Sequence, residues 1–211
     1  MAALPSQPVL VLSLALALGS VATVAIAGAM SVGGRRTRVL RFSAVLVVFM
    51  GIGCAIIVNG LRFNFTPSMP LGVYRFTPVP QNAIHRGMLV AVCLPLNVAE
   101  FGRRRGYLSS GVCAAATELL LKAVVAVAGD DVVISPKGVS VNGRLLPNSR
   151  PVAFDRSGRR LVPLRPGDYR LRHDQIWLYA DHERSWDSRY WGPVPIENIV
   201  ARVTPQLTLP P

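Results

Sequence analysis

Lysine is scarce in this chain: only Lys122 and Lys137 occur among 23 basic residues. Because arginine keeps its proton in proteins, almost all of the positive charge is excluded from proton transfer, whereas a buried lysine can become neutral. Lys122 lies inside the apolar run 119–127. It is therefore either a lysine whose ammonium reaches water along a packed stem, or a desolvated neutral lysine that can serve as a base.

Acidic residues are absent from the first 60 positions, although the chain has 11 of them. Two uncharged apolar segments, 8–30 and 42–61, are long enough to cross a bilayer. The loop between them carries four arginines, Arg35, Arg36, Arg38 and Arg41, which favours a cytoplasmic loop. We predict that residues 1–61 form a membrane anchor of two transmembrane helices in the inner membrane. Residues 62–211 would then form one domain that faces the periplasm. A cleavable signal peptide is the alternative for the first segment, but it lacks a basic start.

The net charge of +12 does not indicate a nucleic-acid partner, because the arginines are scattered and no binding motif accompanies them. Attraction to anionic lipid headgroups explains the charge more simply. None of the three histidines has a setting typical of a catalytic triad.

Short strands and few helices are predicted after residue 61. Alternating or apolar runs occur at 72–76, 88–92, 119–127, 132–134, 175–179 and 199–203. Asn142-Gly143 between two apolar runs indicates a hairpin. Residues 97–106 are predicted to form a short helix or loop capped by Asn97, with a solvated arginine triplet, and 147–168 a surface excursion. The pattern predicts a mainly β fold, a partly closed antiparallel β domain.

One serine stands in a restrained setting. Ser68 lies between Pro67 and Pro70, and each proline fixes its own φ and restricts the residue before it. It follows the second apolar segment by seven residues, at most about 24 Å of extended chain. A serine at this position would act close to a membrane surface.

Three segments in this order resemble the serine, lysine and C-terminal motifs of the type I signal peptidases. These are residues 66–70 (TPSMP), 121–122 followed by Gly129-Asp130, and 185–192 (SWDSRYWG). The branch of conjugative-transfer peptidases is similar also over 64–74 and 93–113. The resemblance covers about residues 59–203. It departs from the family at 180–183, where Ala-Asp-His-Glu replaces the usual Gly-Asp-Asn-Arg, and in having two apolar segments before the serine.

The resemblance implies a signal-peptidase fold and a Ser/Lys dyad. Ser68 would attack the scissile carbonyl after neutral Lys122 removes its proton. Thr66 would donate to the oxyanion together with the Ser68 backbone N–H, and Ser185 would orient the lysine amine. No metal and no cofactor are implied.

The resemblance also implies supporting residues. Asp187 and Arg189 would form an ion pair that holds the C-terminal motif in place, since neither is expected to be buried alone. Cys93 and Cys113 could pair if the domain faces an oxidising compartment, and the branch resemblance includes this segment. Cys54 is predicted to be a small packing residue.

These observations predict a membrane-anchored serine endopeptidase that removes a leader or terminal segment from a secreted or membrane-inserted precursor. The expected partner is a polypeptide with small residues before the cut, and the branch resemblance points to a conjugative pilin and to other transfer-system proteins. Two alternatives remain open: a housekeeping signal peptidase with the same chemistry, and a non-catalytic assembly subunit of a transfer system.

Overall fold

The computed structural model describes residues 34–66 and 68–209, with the side chains of residues 35–38, 56 and 57 left out. The chain divides after Arg62 into two units. Of the first unit, the described part is mainly one helix, α1 (Arg35–Val58). Many of its large apolar side chains are exposed, among them Phe42, Phe49 and Met50.

The two predicted transmembrane helices are not supported by the described residues. Segment 8–30 lies outside them, and none of the helices that are described is long and apolar enough to cross a membrane. The helix over the second segment also has other bounds than the predicted 42–61, since it ends at Val58. Asn59 Nδ2 donates to Ala55 O at 2.7 Å, and Gly60 has a φ of 67°. A positive φ of this kind typically ends a helix.

The second unit is built from short strands. They are β1 (Leu61–Asn64, which begins in the first unit), β2 (Gly72–Thr77), β3 (Leu89–Val92), β4 (Ser110–Cys113), β5 (Leu120–Ala126), β6 (Asp131–Ser135), β7 (Gly138–Val141), β8 (Arg144–Leu145), β9 (Gly167–Arg170), β10 (Gln175–Tyr179), β11 (Val194–Pro195) and β12 (Ile199–Thr208). Two helices interrupt them, α2 (Leu96–Arg104) and α3 (Ser188–Trp191). The mainly β prediction is confirmed.

The strands form two sheets. One has the order β1-β2-β12-β3-β5-β10-β11 and the other the order β8-β7-β6-β9. The neighbouring pairs from β2 to β11 and those of the smaller sheet are antiparallel. This pairing confirms the predicted antiparallel β domain. Strand β5 is paired on both edges, by β3 and β10, so β6, which follows it in the chain, belongs to the second sheet.

Three apolar clusters form the core. The largest joins β3, β5, β10 and β11 to α2 through Val90, Val124, Ile176 and Leu178, all fully buried. A second cluster surrounds the buried Trp177, and a third surrounds Tyr74 on the other side of β3. Strand β5 contributes Val124 to the first cluster and Ala126 to the second, and its Leu121, on the opposite face, packs against the third. Apolar side chains therefore hold β5 on both faces. This strand carries Lys122.

Helix α2 packs closely against the loop of the C-terminal motif. A Cβ added at Gly102 would lie 2.6 Å from two ring carbons of Trp186, so glycine permits this approach. The helix is preceded by Pro95, and no side chain caps it; the predicted cap at Asn97 is wrong because the helix already includes that residue. Cys93 and Cys113 on either side of α2 form a disulfide with a Cα–Cα distance of 5.4 Å.

Candidate active site

The loop that carries Ser68 is held by the side chain of Asn64. Asn64 Nδ2 lies 3.1 Å from Thr66 O, 3.2 Å from Met69 O and 3.1 Å from Pro70 O. Tyr74 OH donates to Pro70 O at 2.7 Å. The sequence analysis attributed the restraint of Ser68 to the two prolines alone and gave Asn64 no role. The available signal was an asparagine just before a turn, where its amide can bind nearby backbone groups.

The hydroxyl of Thr66 is engaged within the same loop. Thr66 Oγ1 donates to Asn64 Oδ1 at 2.7 Å, and Thr66 N donates to the same oxygen at 3.2 Å. A hydroxyl has one proton to donate. The predicted oxyanion role of Thr66 therefore requires its hydroxyl to rotate away from Asn64.

Lys122 approaches Ser68 from strand β5. Its Cα is opposite Val90 of β3, and the residue is 2% exposed. Lys122 Nζ lies 3.2 Å from Ser68 Oγ, within hydrogen-bonding distance. Burial lowers the pKa of Lys122 from 10.5 to about 8, with Asp187 acting to raise it and Arg189 to lower it. A substantial fraction of this amine is thus neutral near pH 8, as a general base requires.

Ser185 does not make the predicted contact with the lysine amine. The residue is 3% exposed, and its Oγ has no hydrogen-bond partner in the described part of the chain. It lines the same groove as Ser68 and Lys122. A buried hydroxyl without a partner costs free energy.

Asp187 and Arg189 form a fully buried ion pair. Arg189 Nε donates to Asp187 Oδ1 at 2.8 Å and Nη2 donates to Oδ2 at 2.9 Å, with both side chains 0% exposed. The guanidinium also donates to the carbonyls of Asn148, His182, Glu183 and Ser185. Asp187 in turn accepts from Ala180 N at 3.3 Å. The pair therefore fixes the loop 180–187 that places Ser185 in the groove.

A groove of about 340 Å³ opens over Ser68 and Lys122. Its other lining residues are Thr66, residues of three segments, 105–107, 152–161 and 182–186, Leu120 at the start of β5, and Glu118 just before it. Glu118, Leu120 and Lys122 are spaced two apart, so they share one side of an extended chain.

Contacts of the Asp155 side chain stabilise one wall of the groove. Tyr107 OH donates to Asp155 Oδ2 at 2.6 Å and Arg159 Nε donates to the same oxygen at 2.8 Å, and Arg105 Nη1 lies 3.6 Å from it. The hydrogen bond from the Tyr107 hydroxyl, together with those from the backbone N–H groups of Ser157 and Arg159, holds the pKa of Asp155 well below its usual range. The prediction of a solvated arginine triplet is therefore wrong for Arg105, whereas segment 147–168 lies largely at the surface, as predicted, and also forms part of the groove.

The family model of the signal peptidases, peptidase S26, matches residues 36–207 of the chain. That match includes every residue of the groove. The chain belongs to the S26 signal peptidase family.

The chain is also similar to proteins of plasmid transfer. The plasmid transfer protein TraF of Escherichia coli is 32% identical over 179 residues, which are 82% of this chain and 99% of that protein. The conjugal transfer protein TraF of Agrobacterium tumefaciens is 36% identical over 180 residues, 84% of this chain and 99% of that protein. The predicted resemblance to the signal peptidases and to their conjugative-transfer branch is confirmed.

Among solved structures, a signal peptidase I from Enterococcus faecalis is similar with a TM-score of 0.33 and 15% identity. The similar region covers 57% of this chain and 97% of the chain of that signal peptidase.

The structure brings most of the predicted site residues to one place. Ser68, Lys122, Thr66 and Ser185 all line the groove, while Asp187 and Arg189 form a fully buried pair outside its lining. The hydrogen bond from Ser185 to Lys122 is not formed among the described residues, and Thr66 is turned towards Asn64. In the residues described, no group of three or more His, Cys, Asp or Glu side chains could hold a metal ion.

Proposed function

We propose that the protein is a serine endopeptidase that uses a Ser68/Lys122 dyad. The observation that carries the proposal is the 3.2 Å distance between Lys122 Nζ and Ser68 Oγ. The lysine is buried and has a pKa of about 8. A lysine in this state can act as the base that a serine nucleophile needs.

In the first step, neutral Lys122 takes the proton of the Ser68 hydroxyl as Oγ bonds to the scissile carbonyl carbon. The carbonyl oxygen becomes an oxyanion. The Ser68 backbone N–H and, after rotation, the Thr66 hydroxyl would donate to it. Losing one such donor typically costs 100- to 1000-fold in rate.

In the second step, the peptide bond breaks and the leaving amine takes the proton from the Lys122 ammonium. The new C-terminus of the precursor stays attached to Ser68 as an ester. Water then attacks the ester carbonyl while Lys122, neutral again, removes a proton from the water. The bond between the acyl carbon and Ser68 Oγ breaks, Oγ takes the proton from the Lys122 ammonium, and the precursor fragment leaves as a carboxylic acid. Ser185, once its hydroxyl meets the amine, would keep Nζ directed at the reacting oxygen.

The substrate we propose is a precursor polypeptide of a conjugative transfer system, in the first place a pilin. The support is the TraF relatives, which are named for plasmid and conjugal transfer. Small residues before the cut are expected from the family resemblance. Other proteins of the transfer system are further partners under this proposal.

We place the reaction at the periplasmic face of the inner membrane. The support comes from the sequence: segments 8–30 and 42–61 are uncharged, and four arginines lie between them. The disulfide between Cys93 and Cys113 fits an oxidising compartment. A reporter fused after residue 211 should be active only when it folds in the periplasm, and activity in the cytoplasm instead would reject this orientation.

The test of the peptidase proposal is cleavage of the pilin precursor in cells that carry the transfer system. Ser68→Ala and Lys122→Arg should each abolish cleavage, because alanine has no nucleophile and arginine cannot act as a base. Lys137→Arg is the matched control. Lys137 is the other lysine of the chain and lies exposed between β6 and β7, so its variant should cleave normally.

The intact mass of the pilin provides the readout. Full-length precursor is expected with the two site variants, and the mature product with the wild type and the control. Near-normal maturation with Lys122→Arg would exclude the dyad. Maturation that is independent of the whole protein would exclude the pilin as substrate.

A further inference from the structure

The groove beside the dyad has more positive than negative side chains. Four arginines line it, Arg105, Arg156, Arg159 and Arg184, against the two carboxylates of Glu118 and Asp155. When Lys122 is neutral, as its proposed role requires, the groove therefore carries an excess of two positive charges. Such clefts concentrate the field and attract groups of the opposite charge.

The two carboxylates are already engaged. Asp155, whose side chain is 6% exposed, binds Arg159 Nε at 2.8 Å and lies 3.6 Å from Arg105 Nη1. Glu118 Oε1 accepts from Ser109 N at 2.9 Å. Arg105 and Arg159 thus share one carboxylate within the wall of the groove, which balances part of their charge.

Arg156 and Arg184 have no such balance. Neither guanidinium is paired with a carboxylate in the part of the chain that the structure describes. Both side chains are exposed, and an exposed arginine is ordinarily just solvated. These two differ from the other exposed arginines because they line the groove that contains Ser68 and Lys122.

We propose that Arg156 and Arg184 bind a carboxylate of the precursor close to the scissile bond. This inference rests on the proposed peptidase function, since it assumes that the precursor lies in this groove. The guanidinium suits the role because its planar donors match a carboxylate in two-point contact. The carboxylate has two possible sources, an acidic side chain near the cut or the C-terminus of the precursor.

The experiment uses the full-length protein in detergent and synthetic peptides with alanine before the cut. In one set, glutamate is moved through the positions on both sides of the cut and compared at each with glutamine. In a second set, the C-terminus is free or amidated. Comparing kcat/KM between the members of each pair distinguishes the two sources of the carboxylate.

We expect one position, or the free C-terminus, to raise kcat/KM by about two- to fivefold for each arginine that it contacts. Arg156→Gln and Arg184→Gln should each reduce this preference, and the double variant should remove it. Arg144→Gln is the matched control, because Arg144 is an exposed arginine of β8 outside the groove; it should keep the full preference. Raised salt should weaken the preference in the wild type.

Equal kcat/KM for charged and neutral peptides in the wild type would overturn the inference, and so would a preference that survives in the double variant. An effect of the arginines that occurs only with anionic lipid vesicles would also overturn it, since the bound group would then be a lipid phosphate.

Peptide binding to Ser68→Ala separates this inference from the peptidase proposal. If the wild type cleaves no peptide but Ser68→Ala binds the charged members more tightly, the carboxylate site stands and the dyad fails. If peptides are cleaved without any preference for charge, the dyad stands and the carboxylate site fails. If the peptides are neither cleaved nor bound, both proposals fail.

Discussion

Replacing Lys122 by methionine should make the protein more stable at neutral pH while abolishing cleavage. The side chains have similar length, but methionine has no charge to desolvate. In the fold, burial lowers the pKa of Lys122 from 10.5 to about 8. At pH 7 this difference corresponds to about 3 kcal/mol of stability that the wild type lacks.

The sign follows from the protons bound in each state. Between pH 8 and 10.5 the unfolded chain binds more protons at this lysine than the folded chain does, so stability rises with pH. The deficit is complete below about pH 8 and disappears above the unfolded pKa of 10.5. Methionine also loses the contact of Lys122 Nζ with Ser68 Oγ, a cost of about 1 kcal/mol. The net gain of the variant should be about 2 kcal/mol at pH 7, and it should turn into a small loss above pH 10.

Urea unfolding of the full-length protein at several pH values measures this gain, with Lys137→Met, a change at the other lysine of the chain, as the matched control. A Lys122→Met protein that is less stable than the wild type at pH 7 would refute the reasoning. A gain that does not change between pH 7 and pH 10 would refute it as well, because its cause would then not be protonation.

Three further predictions concern the frame of the site. Arg189→Met should cost about 3–5 kcal/mol of unfolding free energy by urea denaturation, because it leaves the Asp187 carboxylate buried and unpaired; a loss under 1 kcal/mol would show that the pair is solvated. Opening the loop between Cys93 and Cys113, by reduction or by serine at both positions, should cost on the order of 3 kcal/mol, and an unchanged unfolding midpoint would argue against it. Gly102→Ala should lower stability by about 1–3 kcal/mol through overpacking, because its Cβ would lie 2.6 Å from two ring carbons of Trp186; unchanged melting would contradict that packing.

The strands were predictable from sequence because their signals are local. The alternation at 72–76 indicated β2, and the apolar run around Lys122 indicated β5. Asn142-Gly143 indicated the β7–β8 hairpin, which the structure contains. The division into two sheets was not predictable. It depends on both edges of β5 being occupied, which is a matter of long-range pairing and not of any short segment.

The site shows the same contrast between local and distant information. The restrained setting of Ser68 and the unusual position of Lys122 could be inferred from neighbouring residues, but their 3.2 Å approach depends on the whole larger sheet. The role of Asp155 was missed because two of its partners, Tyr107 and Arg105, are far away in the sequence. Tyr107, for example, is 48 positions from Asp155. The hydroxyls of Thr66 and Ser185 were assigned roles that depend on rotamers, which the sequence does not determine.

The dependence of cleavage on pH tests the central proposal most directly. If neutral Lys122 activates Ser68, kcat/KM for the precursor should rise with pH along a single limb with a pKa of about 8, because burial lowers the pKa of this lysine. Activity should then stay level towards pH 10. A limb near 10.5, the ordinary value for lysine, or a rate that does not change between pH 7 and pH 10, would contradict the account.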